Sequence, residues 1–130
     1  MSSNDSWQQY VDSCLLETNK LSQAAILGHD GAIWASSPNF ELSSEEISSL
    51  IEAFRDASKA RERGLYIAGV RNIILRADSR SIYGKNGASG ALFVKTGQTI
   101  IVATYGSEHI PGNATAVVEQ LADYLISAGF

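Results

Sequence analysis

Aromatic rings stand near both ends of this 130-residue chain. Trp7 and Tyr10 lie in Ser6-Trp7-Gln8-Gln9-Tyr10-Val11-Asp12, and Tyr124 precedes a terminal Phe130. Such side chains make no bonds with a substrate; their chemistry is recognition. A flat ring face carrying an N–H or O–H tip suits a proline-rich segment. Pyrrolidine rings lie against the aromatic faces, and the donor-free backbone carbonyls accept from Trp and Tyr. A polyproline II helix is preformed and loses little entropy on docking. Rings in a first or last helical turn are poorly placed to centre a core. If the two terminal helices lie side by side, Trp7 and Tyr10 meet Tyr124 and Phe130, with Trp34 on a strand below and Leu125 in support. For any one ring, closing the edge of the core is the commoner role; together they predict a ledge.

Bond-making chemistry finds little to work with. The two histidines, His29 in a turn and His109 before Pro111, have no companions at metal-ligand spacing, and Cys14 is the single cysteine. No serine sits in a G-x-S-x-G elbow. Glu45-Glu46 is explained by helix capping and the first-turn dipole. Gly84-Lys85-Asn86-Gly87-Ala88-Ser89-Gly90 lacks the G-K-[ST] order of a phosphate loop and reads as a hairpin. Asn113-Ala114-Thr115 matches a glycosylation sequon but reads as a helix cap. No catalytic residue, metal or cofactor is expected.

The elements that must position the rings follow from periodicity. A first helix is predicted from Ser6, with Ser6 and Gln9 at capping-box spacing and Trp7, Val11, Cys14 and Leu15 as its buried stripe. Residues 24–27 and 32–35 form a hairpin around Asp30-Gly31. Ser43 to Glu46 is a second capping box, followed by Ile47, Leu50, Ile51 and Phe54 at amphipathic spacing. Residues 58–63 are charged and read as helix or loop. After Gly64 the period becomes two, with strands over 65–69, 71–77, 81–85, 91–95 and 98–105, joined by turns too short for anything but antiparallel pairing. A last helix follows Pro111-Gly112, with stripe Val117, Val118, Leu121 and Leu125. This is one α+β domain over 1–130, residues 1–5 being a short extension, with helices covering a mostly antiparallel sheet.

Charge is uneven. Residues 71–95 carry Arg71, Arg76, Arg80, Lys85 and Lys95 against the one acid Asp78, which leaves five basic and thirteen acidic residues elsewhere. A basic strand region in an acidic protein fits an acidic partner or anionic lipid heads, although strands often carry cations simply as solvated edges. With 45% hydrophobic and 18% charged residues the chain can build a core without disulfides. Neither a signal peptide nor an apolar run of about 20 residues is visible, so a cytoplasmic protein is expected.

Assembled in order, these motifs closely resemble the profilin family, in its amoebal, fungal and plant form. The resemblance spans nearly the whole chain: 6–12, Ala24-Ala25-Ile26-Leu27-Gly28, Asp30-Gly31 before Trp34-Ala35, and Arg76-Ala77-Asp78 before Arg80-Ser81-Ile82-Tyr83-Gly84-Lys85. Lys95-Thr96-Gly97-Gln98, Pro111-Gly112 and 118–125 complete it. It implies a central antiparallel sheet with the terminal helices on one face and the middle helices on the other. It also implies a non-enzymatic regulator of actin polymerisation. Such a protein binds actin monomers, promotes their nucleotide exchange and delivers them to filament ends through proline-rich partners such as formins. The family also binds phosphoinositide headgroups. By the resemblance, polyproline would meet Trp7, Tyr10, Trp34 and Tyr124, with Leu125 and Phe130 supporting. Actin would meet Arg71, Arg76, Tyr83, Lys85, Gly112, Thr115 and Glu119, and phosphoinositides Arg71, Arg76, Arg80 and Lys85. No nucleic acid is expected as a partner, and the chain is expected to act as a monomer at the actin cytoskeleton. Residues 58–63 depart from the usual apolar actin contact. The alternative is therefore a profilin-fold module for polyproline or lipid with weak actin affinity.

Overall fold

The computed structural model describes residues 3–130, with side chains from Ser6 onward. Seven strands form one antiparallel sheet in the order β2-β1-β7-β6-β5-β4-β3. They are β1 (Gln23–Gly28), β2 (Ile33–Ser36), β3 (Leu65–Ile67), β4 (Val70–Ala77), β5 (Ser81–Asn86), β6 (Ser89–Lys95) and β7 (Thr99–Tyr105). Helices α1 (Ser3–Gln9) and α4 (Pro111–Ser127) lie on one face, and α2 (Ser44–Arg55) and α3 (Ser58–Arg63) on the other. The ambiguous 58–63 stretch is thus a separate short helix.

Strict alternation sorts the central strands between two cores. Ala24, Ile26, Leu92, Val94, Ile101 and Ala103 face the terminal helices. Ala25, Leu27, Ala91, Phe93, Ile100 and Val102 face α2 and α3. Both faces are covered, so these strands read as continuous apolar runs despite antiparallel pairing. Each fully buried aliphatic side chain contributes on the order of 1.5–3 kcal/mol of transfer free energy.

One pairing decides where the rings go. The first strand of the chain, β1, pairs with the last, β7, from Gln23 opposite Thr104 to Gly28 opposite Thr99. The helices just before β1 and just after β7 are therefore neighbours on one face.

Several sequence expectations are corrected. Ser6 lies inside α1, whose backbone is helical from Ser3, so it caps nothing; Met1 and Ser2 of the expected extension lie outside the described residues. The helix then widens into a π-helical segment over Tyr10–Leu15 and a 3₁₀ turn over Leu16–Thr18. Wider turns suit a buried stripe with spacing four, Trp7, Val11 and Leu15. Cys14 leaves that stripe and is exposed. Asn113 lies within the first turn of α4, which starts with Pro111 at its first position and Ile110 as N-cap, so the sequon is not the cap.

The capping box at Ser43 forms as expected: Ser43 Oγ accepts from Glu46 N at 3.1 Å, and Glu46 Oε1 accepts from Ser43 N at 3.0 Å. The same carboxylate accepts from Ala68 N at 3.2 Å and Gly69 N at 2.8 Å. Those residues form the two-residue β3–β4 turn, with φ of 50° and 82°. A positive φ at both loop positions is the twist-matched hairpin geometry. Glu46 thus fastens α2 to the far edge of the sheet.

Candidate peptide ledge and sheet face

The ledge is built where α1, its π-helical extension and α4 meet. Trp7 is its floor: 9% exposed, with ring centroids 5.5 Å from Tyr10, 5.1 Å from Trp34 and 5.2 Å from Phe130. Tyr10 continues the row to Tyr124 at 6.0 Å. Tyr124 is 53% exposed and Leu125 fully buried beneath it. Tilted and edge-on pairs at these separations each contribute about 0.5–1.5 kcal/mol beyond area burial. The Tyr10 hydroxyl is pushed up from its ordinary value, chiefly by its interaction with the Tyr124 side chain and then by burial. The Tyr10 phenol thus stays protonated near neutral pH and can donate.

Two local devices aim the rings. A Cβ at Gly28 would fall 2.9 Å from Trp34 Cζ2 and Nε1, so the bare glycine lets the indole lie across the end of β1. Helix α4 ends in a Schellman motif: Gly129 at φ 94°, Gly129 N donating to Ile126 O at 3.1 Å, and Phe130 N to Leu125 O at 2.8 Å. The Phe130 carbonyl also accepts from Thr96 Oγ1 at 3.0 Å and from Gln98 N, which ties the last residue to the β6–β7 turn. The terminal ring is thereby held against Trp7.

A groove of about 380 Å³ runs on from the ledge, lined by Tyr10, Cys14, Thr18, Val117, Gln120, Leu121 and Tyr124. It was not visible in the sequence, because Cys14 read as core.

The other flank of α4 meets the basic strands. Glu119 accepts from Tyr83 OH, from Ser81 Oγ at 2.8 Å and from Arg80 Nη2 at 3.0 Å. Arg80 also donates to Asp123 Oδ1 at 2.7 Å. Arg76 pairs with Asp78 at 3.0 Å and lies 5.3 Å over the Tyr83 ring. Burial and then the Glu119 hydrogen bond push the Tyr83 phenol up. The backbone N–H groups of Ser81 and Arg80, aided by Arg76, hold Asp78 below the usual carboxylate value. Asp123 and then Glu119 raise Arg80 against its partial burial.

The structure therefore brings Arg76, Tyr83 and Glu119 together, with Thr115 and Gly112 further up the same helix. Arg71 and Lys85 lie on the neighbouring strands, both exposed, with Arg71 Nε donating to Arg63 O at 2.8 Å. The four cations assigned to phosphoinositides do not form one free cluster, because Arg76 and Arg80 are occupied by Asp78, Glu119 and Asp123.

Sequence reasoning missed the apolar part of this face. Tyr66, Ile73 and Leu75 are 51%, 48% and 59% exposed, Tyr66 opposite Arg71 and Ile73 opposite Lys85 in register. The sequence marks 71–77 only as a strand, and three consecutive apolar residues, Ile73-Ile74-Leu75, cannot all face inward on a pleated strand. Among the described residues no group of histidine, cysteine and acid side chains could hold a metal ion. No helix there is long and apolar enough to cross a membrane.

Comparison with known proteins matches this arrangement. The profilin family model covers residues 5–130. Profilin-2 of Acanthamoeba castellanii is 48% identical over 125 residues, 96% of this chain and 99% of that protein. The crystal structure of Acanthamoeba castellanii profilin II superposes with a TM-score of 0.93 at 48% identity, over 95% of this chain and 99% of that one. Mouse profilin IIa, in complex with a double repeat from the FH1 domain of mDia1, shares the fold at a TM-score of 0.78 and 20% identity, covering 95% and 99%. With both faces of the sheet, the ledge and the full-length match in place, the chain belongs to the profilin family.

Proposed function

We propose that this chain binds actin monomers and regulates their polymerisation, exchanging their nucleotide and delivering them to filament ends through proline-rich partners such as formins. It does so by binding alone, without catalysis, in the cytoplasm at the actin cytoskeleton. The observation that carries the reading is the division of α4: Tyr124 stands with Tyr10 on the ledge, while Glu119 is tied to Tyr83 and Arg80 on the sheet. Two partners can be held at once on opposite flanks of one helix. On the sheet side, Arg71, Arg76, Lys85, Gly112, Thr115 and Glu119 frame the apolar Ile73 and Leu75, an anchor inside a charged surround. Charges there mainly raise the on-rate and set orientation. On the ledge, Trp7, Tyr10, Trp34 and Tyr124 receive proline rings, backed by Leu125 and Phe130.

A monomeric-actin titration with a pyrene-actin assembly assay tests the first half. Excess protein is expected to suppress spontaneous nucleation, and binding is expected to weaken as salt rises. No effect on nucleation refutes it. Tyr124→Asp is expected to stay folded and lose retention on decaproline resin; unchanged retention refutes the second half. Phosphoinositide headgroups would compete with actin for Arg71 and Lys85, which vesicles with and without the lipid would reveal. A polyproline module with weak actin affinity is not favoured, since the family match is continuous through residues 58–63.

A further inference from the structure

We propose that Glu46 is a positioning residue for the actin-facing surface. It stands on α2, on the opposite face of the sheet, and fixes the place of Tyr66 through the β3–β4 turn. This rests on the actin reading above and adds an outer edge to the contact, where Tyr66 meets the monomer.

Tyr66 shares its side of the sheet with the cations. Leu65 and Ile67 turn into the core under α2 and α3, so Tyr66 between them points the other way and is 51% exposed. It lies opposite Arg71 in register, and Ile73 lies opposite Lys85. The ring is therefore continuous with the apolar and basic patch already described. An exposed tyrosine has a large face to bury and few torsions to lose, which is why it recurs at interface hot spots. Its strand is a poor support, however. β3 is three residues long, ends the sheet and pairs on one side only. A short hairpin of that kind needs packing from elsewhere to hold its geometry.

Glu46 supplies the hold. Its Oε1 accepts from Ser43 N at 3.0 Å and Ala68 N at 3.2 Å, and its Oε2 from Gly69 N at 2.8 Å. Helix capping accounts for the first bond alone. The other two close on both residues of the turn that follows Tyr66 and Ile67. Ala68 needs that support, because its φ of 50° is uncommon for a residue with a side chain. Glutamine at 46 sets an N–H₂ against at least one of the three N–H donors, whichever way its amide is turned.

The experiment measures the kinetics of monomeric-actin binding by the full chain, by Tyr66→Ala, Glu46→Gln and their double variant, and by Ser43→Ala. Circular dichroism reports that each is folded. Tyr66→Ala is expected to weaken binding about tenfold, mainly through faster dissociation. Glu46→Gln is expected to weaken it several-fold, again through dissociation. Charge alone predicts the reverse, since removing an acid near basic strands speeds association with an acidic partner. In the Tyr66→Ala background, Glu46→Gln should cost less than about twofold, because it acts through the ring already removed. Ser43→Ala strips the hydroxyl from the same capping box but leaves the carboxylate on the turn. It should lower stability and keep actin affinity unchanged. Unaltered affinity of Tyr66→Ala overturns the contact and the positioning with it. Unaltered affinity of Glu46→Gln, equal losses in both backgrounds, or an equal loss in Ser43→Ala overturns the positioning. Failure of the unsubstituted chain to bind actin overturns the actin reading itself, an outcome distinct from binding that Glu46→Gln leaves intact.

Discussion

Replacing Glu119 by glutamine tests the charged network on α4 with little change in shape. The carboxylate accepts from two hydroxyls and one guanidinium, and its side chain is 24% exposed. Hydrogen bonds to a charged acceptor contribute about 1.5–3 kcal/mol each, neutral ones about 1. Glutamine keeps one carbonyl and turns the other position into a donor facing donors. Arg80 keeps Asp123 at 2.7 Å, so little is lost on that side. The main loss falls on the Tyr83 and Ser81 hydroxyls, Ser81 being 2% exposed. About 1 kcal/mol from each gives roughly 2 kcal/mol in all. For a domain of this size that lowers the melting temperature by about 8 °C. Urea denaturation of Glu119→Gln, Tyr83→Phe and the double variant measures it, with a coupling of at least ~0.5 kcal/mol expected between the two sites. Decaproline affinity should hold while actin affinity falls. A loss under ~0.5 kcal/mol, or strict additivity, would show that the network carries no energy and that Glu119 does not order this face.

Further outcomes follow from the same geometry. Trp7→Ala removes a nearly buried ring that touches three others, so it should cost about 3–5 kcal/mol in denaturant melts; a loss under ~1 kcal/mol would mean the ring is not the ledge floor. Gly28→Ala puts a methyl against the Trp34 indole. It should shift near-ultraviolet circular dichroism and weaken decaproline several-fold, and an unchanged spectrum contradicts the contact. Asp78, whose folded-state value is lowered, stabilises the fold above the ordinary carboxylate value of about 3.9 and loses that contribution as pH falls through the lowered value. The stability gap between wild type and Asp78→Asn should therefore be full near neutrality and close in strong acid; a gap that persists near pH 2 removes Asp78 as its source.

What was legible in the sequence was what short-range physics dictates. The apolar runs Ala24 to Leu27 and Ala91 to Val94 announced strands, the capping box announced α2, and short turns forced antiparallel neighbours. The ring types announced recognition rather than reaction. Side-chain periodicity, however, assumes a regular helix. The π-helical turn broke that assumption, so Cys14 was misplaced and the groove beside it went unseen. That Ile73 and Leu75 are exposed depends on where the helices stop covering the sheet, which no local pattern encodes.

The sequence by itself determined which residues could bind and what kind of surface they would make. Only the tertiary structure decided that they meet. Trp7 and Phe130 are separated by almost the whole chain, and their contact follows from β1 lying beside β7, a pairing that brings the two terminal helices side by side. That same choice gave α4 two working flanks, and it separated Trp7, sunk as the floor, from Tyr124, left standing in solvent.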